Sequence, residues 1–278
     1  MRTITTVAEM TTARDAAAGT VGLVPTMGLL HEGHLSLVRR ARAGCDTVTV
    51  SIFVNPTQFG PGEDLDRYPR DEKRDLALLR DEGTNLVFMP PPEEIYPPDF
   101  DDWVEVGGPI AERLEGEHRP GHFRGVATVV ARLFRIVRPD RAYFGEKDAQ
   151  QLRVISRLTA DLGLPVEVIG LPIVREPDGL AMSSRNAYLS TDERSRALSL
   201  SRALAEAEQS VREGERDASR IRAAARRSLD AAGVGVDYVS VADEKTLAEL
   251  ETIDRPALLL LAARVGATRL IDNTLLLP

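Results

Sequence analysis

Two histidines three residues apart, His31 and His34, are the residues best placed by type and spacing to do chemistry. They close the stretch Pro25-Thr26-Met27-Gly28-Leu29-Leu30-His31-Glu32-Gly33-His34. Residues 21–24 before it form a short apolar run, and residues 33–42 after it are amphipathic. That reads as strand, glycine turn, helix, a layout in which backbone N–H groups and a helix N-terminus meet an anion. With one imidazole at the end of the loop and one on the first helical turn, both can face the same phosphate. His-Glu-Gly-His also resembles the start of a zinc-protease motif. That motif needs His-Glu-x-x-His, and the spacing here is one residue short, so zinc hydrolysis is rejected.

Three further loops hold unusual polar sets. Asn55-Pro56-Thr57-Gln58-Phe59-Gly60 follows a β-branched run, and its amides could orient a small polar substrate's hydroxyl or carboxylate without adding charge; Asn55-Pro56 could equally just start a turn. Gly145-Glu146-Lys147-Asp148 opens a helix that carries Gln150 and Gln151. Lys147 suits a point-charge contact to phosphate, whereas Asp148 could hold a ribose hydroxyl, hold a metal ion or cap the helix. Residues 181–186, Ala-Met-Ser-Ser-Arg-Asn, offer hydroxyls, backbone donors and a guanidinium with no competing negative charge, or else a surface loop. His118 and His122 flank a Pro-Gly turn and receive no role.

These loops need elements to hold them. Residues 47–54 are nearly continuous in apolar and β-branched side chains, as in a strand buried on both faces. With residues 21–24 and the intervening helix they make a βαβ unit, which implies a parallel sheet. Further strands are expected at 86–89, 141–144 and 166–169, with 172–174 strand-like and 103–106 a sheet edge. Helices are expected at about 69–82, 121–137 and 149–162. Ligands bind beyond the carboxyl ends of parallel strands, where all four loops are expected to fall, so they predict one composite site. From about residue 176 the character changes: 191–230 reads as one or two long helices. Strands follow at 236–241, 257–265 and 269–276, the last two joined by a hairpin at 266–268. The expected fold is α/β, a parallel sheet flanked by helices (1–175) with a smaller C-terminal α+β domain (176–278).

Composition narrows the function. The 278 residues are 43% hydrophobic and 28% charged, with a net charge of −8. An acidic balance disfavours nucleic acid, which needs a basic face. The single cysteine, Cys45, excludes an internal disulfide, fits a reducing compartment and reads as a small packed residue rather than a catalytic thiol. Neither a signal peptide nor a membrane span is expected.

Together the loops resemble a known family. His31-x-Gly33-His34 with Met182-Ser183-Ser184-Arg185 is similar to the paired signatures of the class I aminoacyl-tRNA synthetase and nucleotidylyltransferase superfamily. Pro25-Thr26-Met27-Gly28, Val54-Asn55-Pro56-Thr57-Gln58-Phe59, His122-Phe123-x-Gly125-Val126, Phe144-Gly145-Glu146-Lys147-Asp148-x-Gln150-Gln151 and Met182-Ser183-Ser184-Arg185-Asn186 resemble, in order, the motifs of the pantoate–β-alanine ligase (pantothenate synthetase) family. Leu29 stands where that family often has a smaller residue. The resemblance implies a Rossmann-like domain with a closing C-terminal lid, a homodimer in the cytoplasm, and ATP with Mg2+ as cofactors. It implies that (R)-pantoate and ATP form pantoyl adenylate, which β-alanine then converts to pantothenate and AMP. It implies catalytic roles for His34 (the general acid), His31 and Lys147. ATP binding is implied for Met27, Gly28, Leu29, Leu30, His31, Glu32, Gly33, His34, Gly145, Glu146, Lys147, Asp148, Val174, Met182, Ser183, Ser184 and Arg185. Gln58, Gln151 and Asn55 are the implied substrate-binding residues; the metal ligands stay unknown, with Asp75 and Asp148 as guesses. A transferase moving AMP or CMP onto a phosphate ester, a tRNA-charging enzyme and a non-catalytic ATP sensor are the rivals. The neutral amides favour a small-acid ligase, and the absence of a basic domain disfavours tRNA.

Overall fold

The computed structural model describes residues 1–278 and divides them into two compact units. The first comprises residues 1–146 and 151–172; the second comprises 147–150 and 173–278.

In chain order the elements are β1 (Arg2–Ile4), α1 (Val7–Asp15), β2 (Val21–Thr26), α2 (Glu32–Gly44), β3 (Thr47–Ile52), α3 (Glu72–Asp81) and β4 (Leu86–Phe88). Three single-turn helices follow, α4 (Pro92–Ile95), α5 (Pro109–Glu112) and α6 (Glu115–His118). Then come α7 (His122–Val137), β5 (Arg141–Gly145), α8 (Ala149–Asp161) and β6 (Glu167–Leu171). The remainder is α9 (Thr191–Arg212), α10 (Ala218–Ala231), β7 (Gly235–Asp243), β8 (Ala257–Val265) and β9 (Thr268–Leu276).

The first unit is a six-stranded parallel sheet in the order β1-β4-β3-β2-β5-β6. Strands β2 and β3 are buried almost end to end, which is why their sequences run apolar without alternation. One apolar cluster gathers Met10 of α1, Val126 and Val130 of α7 and Ile155 of α8 with Leu23 of β2. Another gathers Val38 of α2 and Leu79 of α3 with Val24, Val48 and Val50. Cys45 is buried there, its Sγ 3.4 Å from the Tyr143 hydroxyl.

The chain steps outward from β2 to β3 and β4, then returns to place β5 on the other side of β2. The order therefore reverses between β2 and β5, the place where open α/β sheets hold ligands. Pairing of β2 with β5 is confined to Gly22–Arg141 and Leu23–Ala142, although β2 runs on to Thr26 and β5 to Gly145. The carboxyl halves of these two strands are thus unpaired with each other.

In the second unit β7, β8 and β9 form an antiparallel sheet, with α9 and α10 sharing its apolar cluster. Gly266, at φ +59°, and Ala267 make the two-residue β8–β9 turn, shorter than the expected 266–268 loop by Thr268, which pairs with Val265. Two expected strands are absent. Residues 103–106 are irregular because this short run docks on α7 through Val104 N–H and the Thr128 hydroxyl (3.0 Å), not on a strand. Residues 172–174 stay outside the sheet, which ends at Leu171; only an isolated bridge, Arg175 to Ala181, follows. The second unit also begins earlier than residue 176 and includes 147–150, held to it where Asn273 Nδ2 donates to the Lys147 carbonyl (2.9 Å).

Candidate active site

The β2–α2 turn is built from unusual backbone. Gly28 has φ +86° and Leu29 φ +45°, so two successive residues are left-handed. A Cβ at Gly28 would lie 3.1 Å from an Ile52 methyl, which with the positive φ explains glycine there. Leu30, only 1% exposed, anchors the turn in the core. His31 is the N-cap of α2 and His34 is three residues in. Nδ1 of His34 accepts the His31 backbone N–H at 3.3 Å, so the neutral His34 ring carries its proton on Nε2. The two rings lie 4.0 Å apart between centroids. Both side chains therefore sit at the positive end of a thirteen-residue helix, where an anion is favoured.

A second group of predicted residues meets beside this turn. Asn55 is buried, its Nδ2 donating to Gln58 Oε1 (3.0 Å) and to the Gly125 carbonyl (3.2 Å). Its Oδ1 accepts from the hydroxyls of Tyr96 (2.8 Å) and Thr57 (2.9 Å). Asn55 thus orients Gln58, whose Nε2 reaches the Met27 sulfur at 3.1 Å. The Gln58 carbonyl is held from the other side by His122 Nδ1 (2.9 Å) and Arg119 (3.2 Å). The carbonyl can only accept, so His122 carries its proton on Nδ1 and its Nε2 accepts from Arg119 (3.0 Å). Burial, together with the adjacent Arg119 cation, pulls the imidazole down to about 4, which keeps this ring neutral. Burial would raise Glu63, but its bidentate pair with Arg119 holds the carboxyl below its ordinary range.

The third group belongs to the second unit. Lys147 and Asp148 lie on one turn, 3.9 Å apart, and Lys147 is tethered through its carbonyl to Asn273. Val174 accepts the Met182 N–H (3.0 Å) through its carbonyl, so the adenine-facing candidate and the Met182-Ser183-Ser184-Arg185 loop form one local structure. Ser183 caps the short turn Ser184–Tyr188. Arg175 bridges Asp272, only 2% exposed, with two contacts of 2.7 and 3.1 Å.

The structure thus brings Met27, Gly28, Leu29, Leu30, His31, Glu32, Gly33 and His34 together with Asn55 and Gln58 in the first unit, where Gly145, Glu146 and Gln151 also lie. Lys147, Asp148, Val174, Met182, Ser183, Ser184 and Arg185 lie in the second. Three contributors, Gly125, Arg119 and His122, receive no role from the sequence alone. A Cβ at Gly125 would fall 2.3 Å from the Thr57 carbonyl oxygen, so glycine lets α7 meet the Gln58 loop. Arg119 and His122 clamp that loop, and His122 within His-Phe-x-Gly was the available signal. Asp75, a guess for a metal ligand, is 1% exposed and accepts the N–H groups of Leu29 and Leu30, each at 2.8 Å. No group of three or more His, Cys, Asp or Glu residues is arranged to hold a metal ion.

A parallel sheet whose order reverses beside a glycine turn with paired imidazoles defines the Rossmann-like nucleotide-binding class of α/β protein. A model of the family described as pantoate–β-alanine ligase matches residues 1–275. The pantothenate synthetase of Roseiflexus sp. (strain RS-1) is 62% identical over 277 residues, 99% of each chain, and that of Thermotoga neapolitana 56% identical over 280 residues. The crystal structure of pantothenate synthetase from Thermus thermophilus superposes with a TM-score of 0.96 at 50% identity, covering 100% of both chains. The pantoate–β-alanine ligase of Francisella tularensis, described as complexed with β,γ ATP and β-alanine, matches with a TM-score of 0.85 at 32% identity over 99% of this chain and 97% of that one. The chain belongs to the pantoate–β-alanine ligase family. It is a ligase of pantothenate synthesis.

Proposed function

We propose that the chain activates (R)-pantoate with ATP. The pantoate carboxylate attacks the α-phosphorus, the bond to the bridging oxygen breaks, and pyrophosphate leaves. The β-alanine amine then attacks the acyl carbon of pantoyl adenylate, AMP departs and pantothenate remains. The observation that carries this reading is the His31–His34 turn at the reversal point between β2 and β5, where the two strands part.

Charge develops on phosphate oxygens in the first step, so catalysis is positioning and charge stabilisation. His34 acts as general acid through Nε2, with His31 beside it. Lys147 neutralises phosphate charge, and Ser183, Ser184 and Arg185 hold the departing pyrophosphate. Gly145, Glu146 and Asp148 hold ribose and phosphate, Val174 meets adenine through its backbone, and Met27 to His34 line the nucleotide. Gln58 and Gln151 hold pantoate, and Asn55 acts by fixing Gln58. Mg2+ enters with the triphosphate as part of the substrate. The second unit acts as the lid, and the enzyme works as a cytoplasmic homodimer. No helix is long and apolar enough to cross a membrane.

Exchange of labelled pyrophosphate into ATP tests the reading. Exchange is expected with pantoate and without β-alanine. Absence of exchange with any acid would sink the ligase mechanism as written.

A further inference from the structure

We propose that Asp75 is the positioning residue that holds the phosphate-facing turn in its left-handed shape. The inference rests on the ATP role of that turn. Each carboxylate oxygen of Asp75 takes one successive backbone N–H, from Leu29 and from Leu30, at 2.8 Å. The neighbouring Arg74 donates to the Leu30 carbonyl at 2.9 Å, so the start of α3 grips both polar groups of one peptide segment.

The grip is needed because Leu29 is not glycine. A side chain at φ +45° is disfavoured, and the Asp75 carboxylate supplies an acceptor to both backbone donors of the turn. These two bonds offset the strain. The consequence reaches the chemistry within two residues. Leu30 is followed by His31, the N-cap whose backbone N–H sets the His34 ring. The carboxylate is itself 1% exposed and faces backbone donors, which suits it to shaping the turn rather than to binding a metal from solvent.

The experiment measures pantoate-dependent pyrophosphate exchange and its saturation with ATP in Asp75→Asn, Arg74→Ala, and Asp75→Asn combined with Leu29→Gly. In Asp75→Asn one N–H meets an amide donor, and kcat/KM for ATP is expected to fall about 30-fold. Arg74→Ala removes one half-exposed side chain's bond to the Leu30 carbonyl, and a fall of about threefold is expected. KM for β-alanine in the full reaction stays unchanged in both. Glycine adopts a positive φ without strain, so Leu29→Gly is expected to restore about fivefold of the loss in Asp75→Asn. Folded Asp75→Asn and Arg74→Ala proteins with unchanged ATP kinetics would overturn the proposal. So would a loss that Leu29→Gly leaves untouched while excess Mg2+ restores it, which would make Asp75 a metal ligand. If Asp75→Asn fails to fold, unchanged ATP kinetics in Arg74→Ala overturns the proposal alone. If His34→Ala also leaves ATP kinetics unchanged, it is the ATP role of the turn that has failed.

Discussion

Replacing His34 with alanine is expected to lower turnover by at least about 10², the scale of losing one positioned acid. The side chain has two separable jobs. Its Nδ1 accepts the His31 N–H, a capping contact whose loss costs about 1 kcal/mol of stability. In the proposed mechanism its Nε2 carries the proton that the adenylation step uses. Turnover and stability should therefore come apart: denaturant unfolding moves modestly while the steady-state rate collapses. Lys147→Ala should show the same scale of loss, because a point charge on the phosphates is removed. A rate near that of the unaltered enzyme in either variant would refute its role.

Arg175→Ala is expected to have the largest effect on stability, about 3 kcal/mol, because it strands the buried Asp272 carboxylate. The damage should spread along a short path within the second unit. Asp272 precedes Asn273, whose amide holds the Lys147 carbonyl, and Arg175 follows Val174, which holds Met182. Adding Asp272→Asn removes the stranded charge and should recover more than half of the lost stability. Urea unfolding of the two variants checks this. A single-variant loss below about 1 kcal/mol, or no recovery in the double variant, would show that the pair does not hold this unit together.

The parts of the fold legible in the sequence were those with a strong local signal. Residues 47–54 could hardly be other than a buried strand, and the glycine turn before α2 announced itself by composition. The 257–265 and 269–276 runs with glycine between them read as a hairpin because side chains and turn residue agreed. Short segments were less legible: 103–106 has strand-like side chains, yet its backbone finds its partner on α7. The grouping of 147–150 with the second unit depends on a contact 126 residues away, which no local pattern carries. In the candidate site, His31, His34, Gln58 and the Met182-Ser183-Ser184-Arg185 loop stand out in the sequence because their types suit the proposed chemistry. Asp75 is only a guess at a metal ligand from the sequence, since one carboxylate in a charged helix gives no sign that it faces inward onto backbone N–H groups. Gly125 and Arg119 act through packing and backbone, and only the fold shows what they touch.

The central claim is that an adenylate is formed before the amine arrives. Mass spectrometry of the enzyme incubated with ATP, Mg2+ and pantoate, without β-alanine, tests it directly. The expected result is retained pantoyl adenylate with release of pyrophosphate, and its conversion to pantothenate and AMP when β-alanine is added. Absence of the adenylate, with ADP formed in place of AMP, would contradict the account.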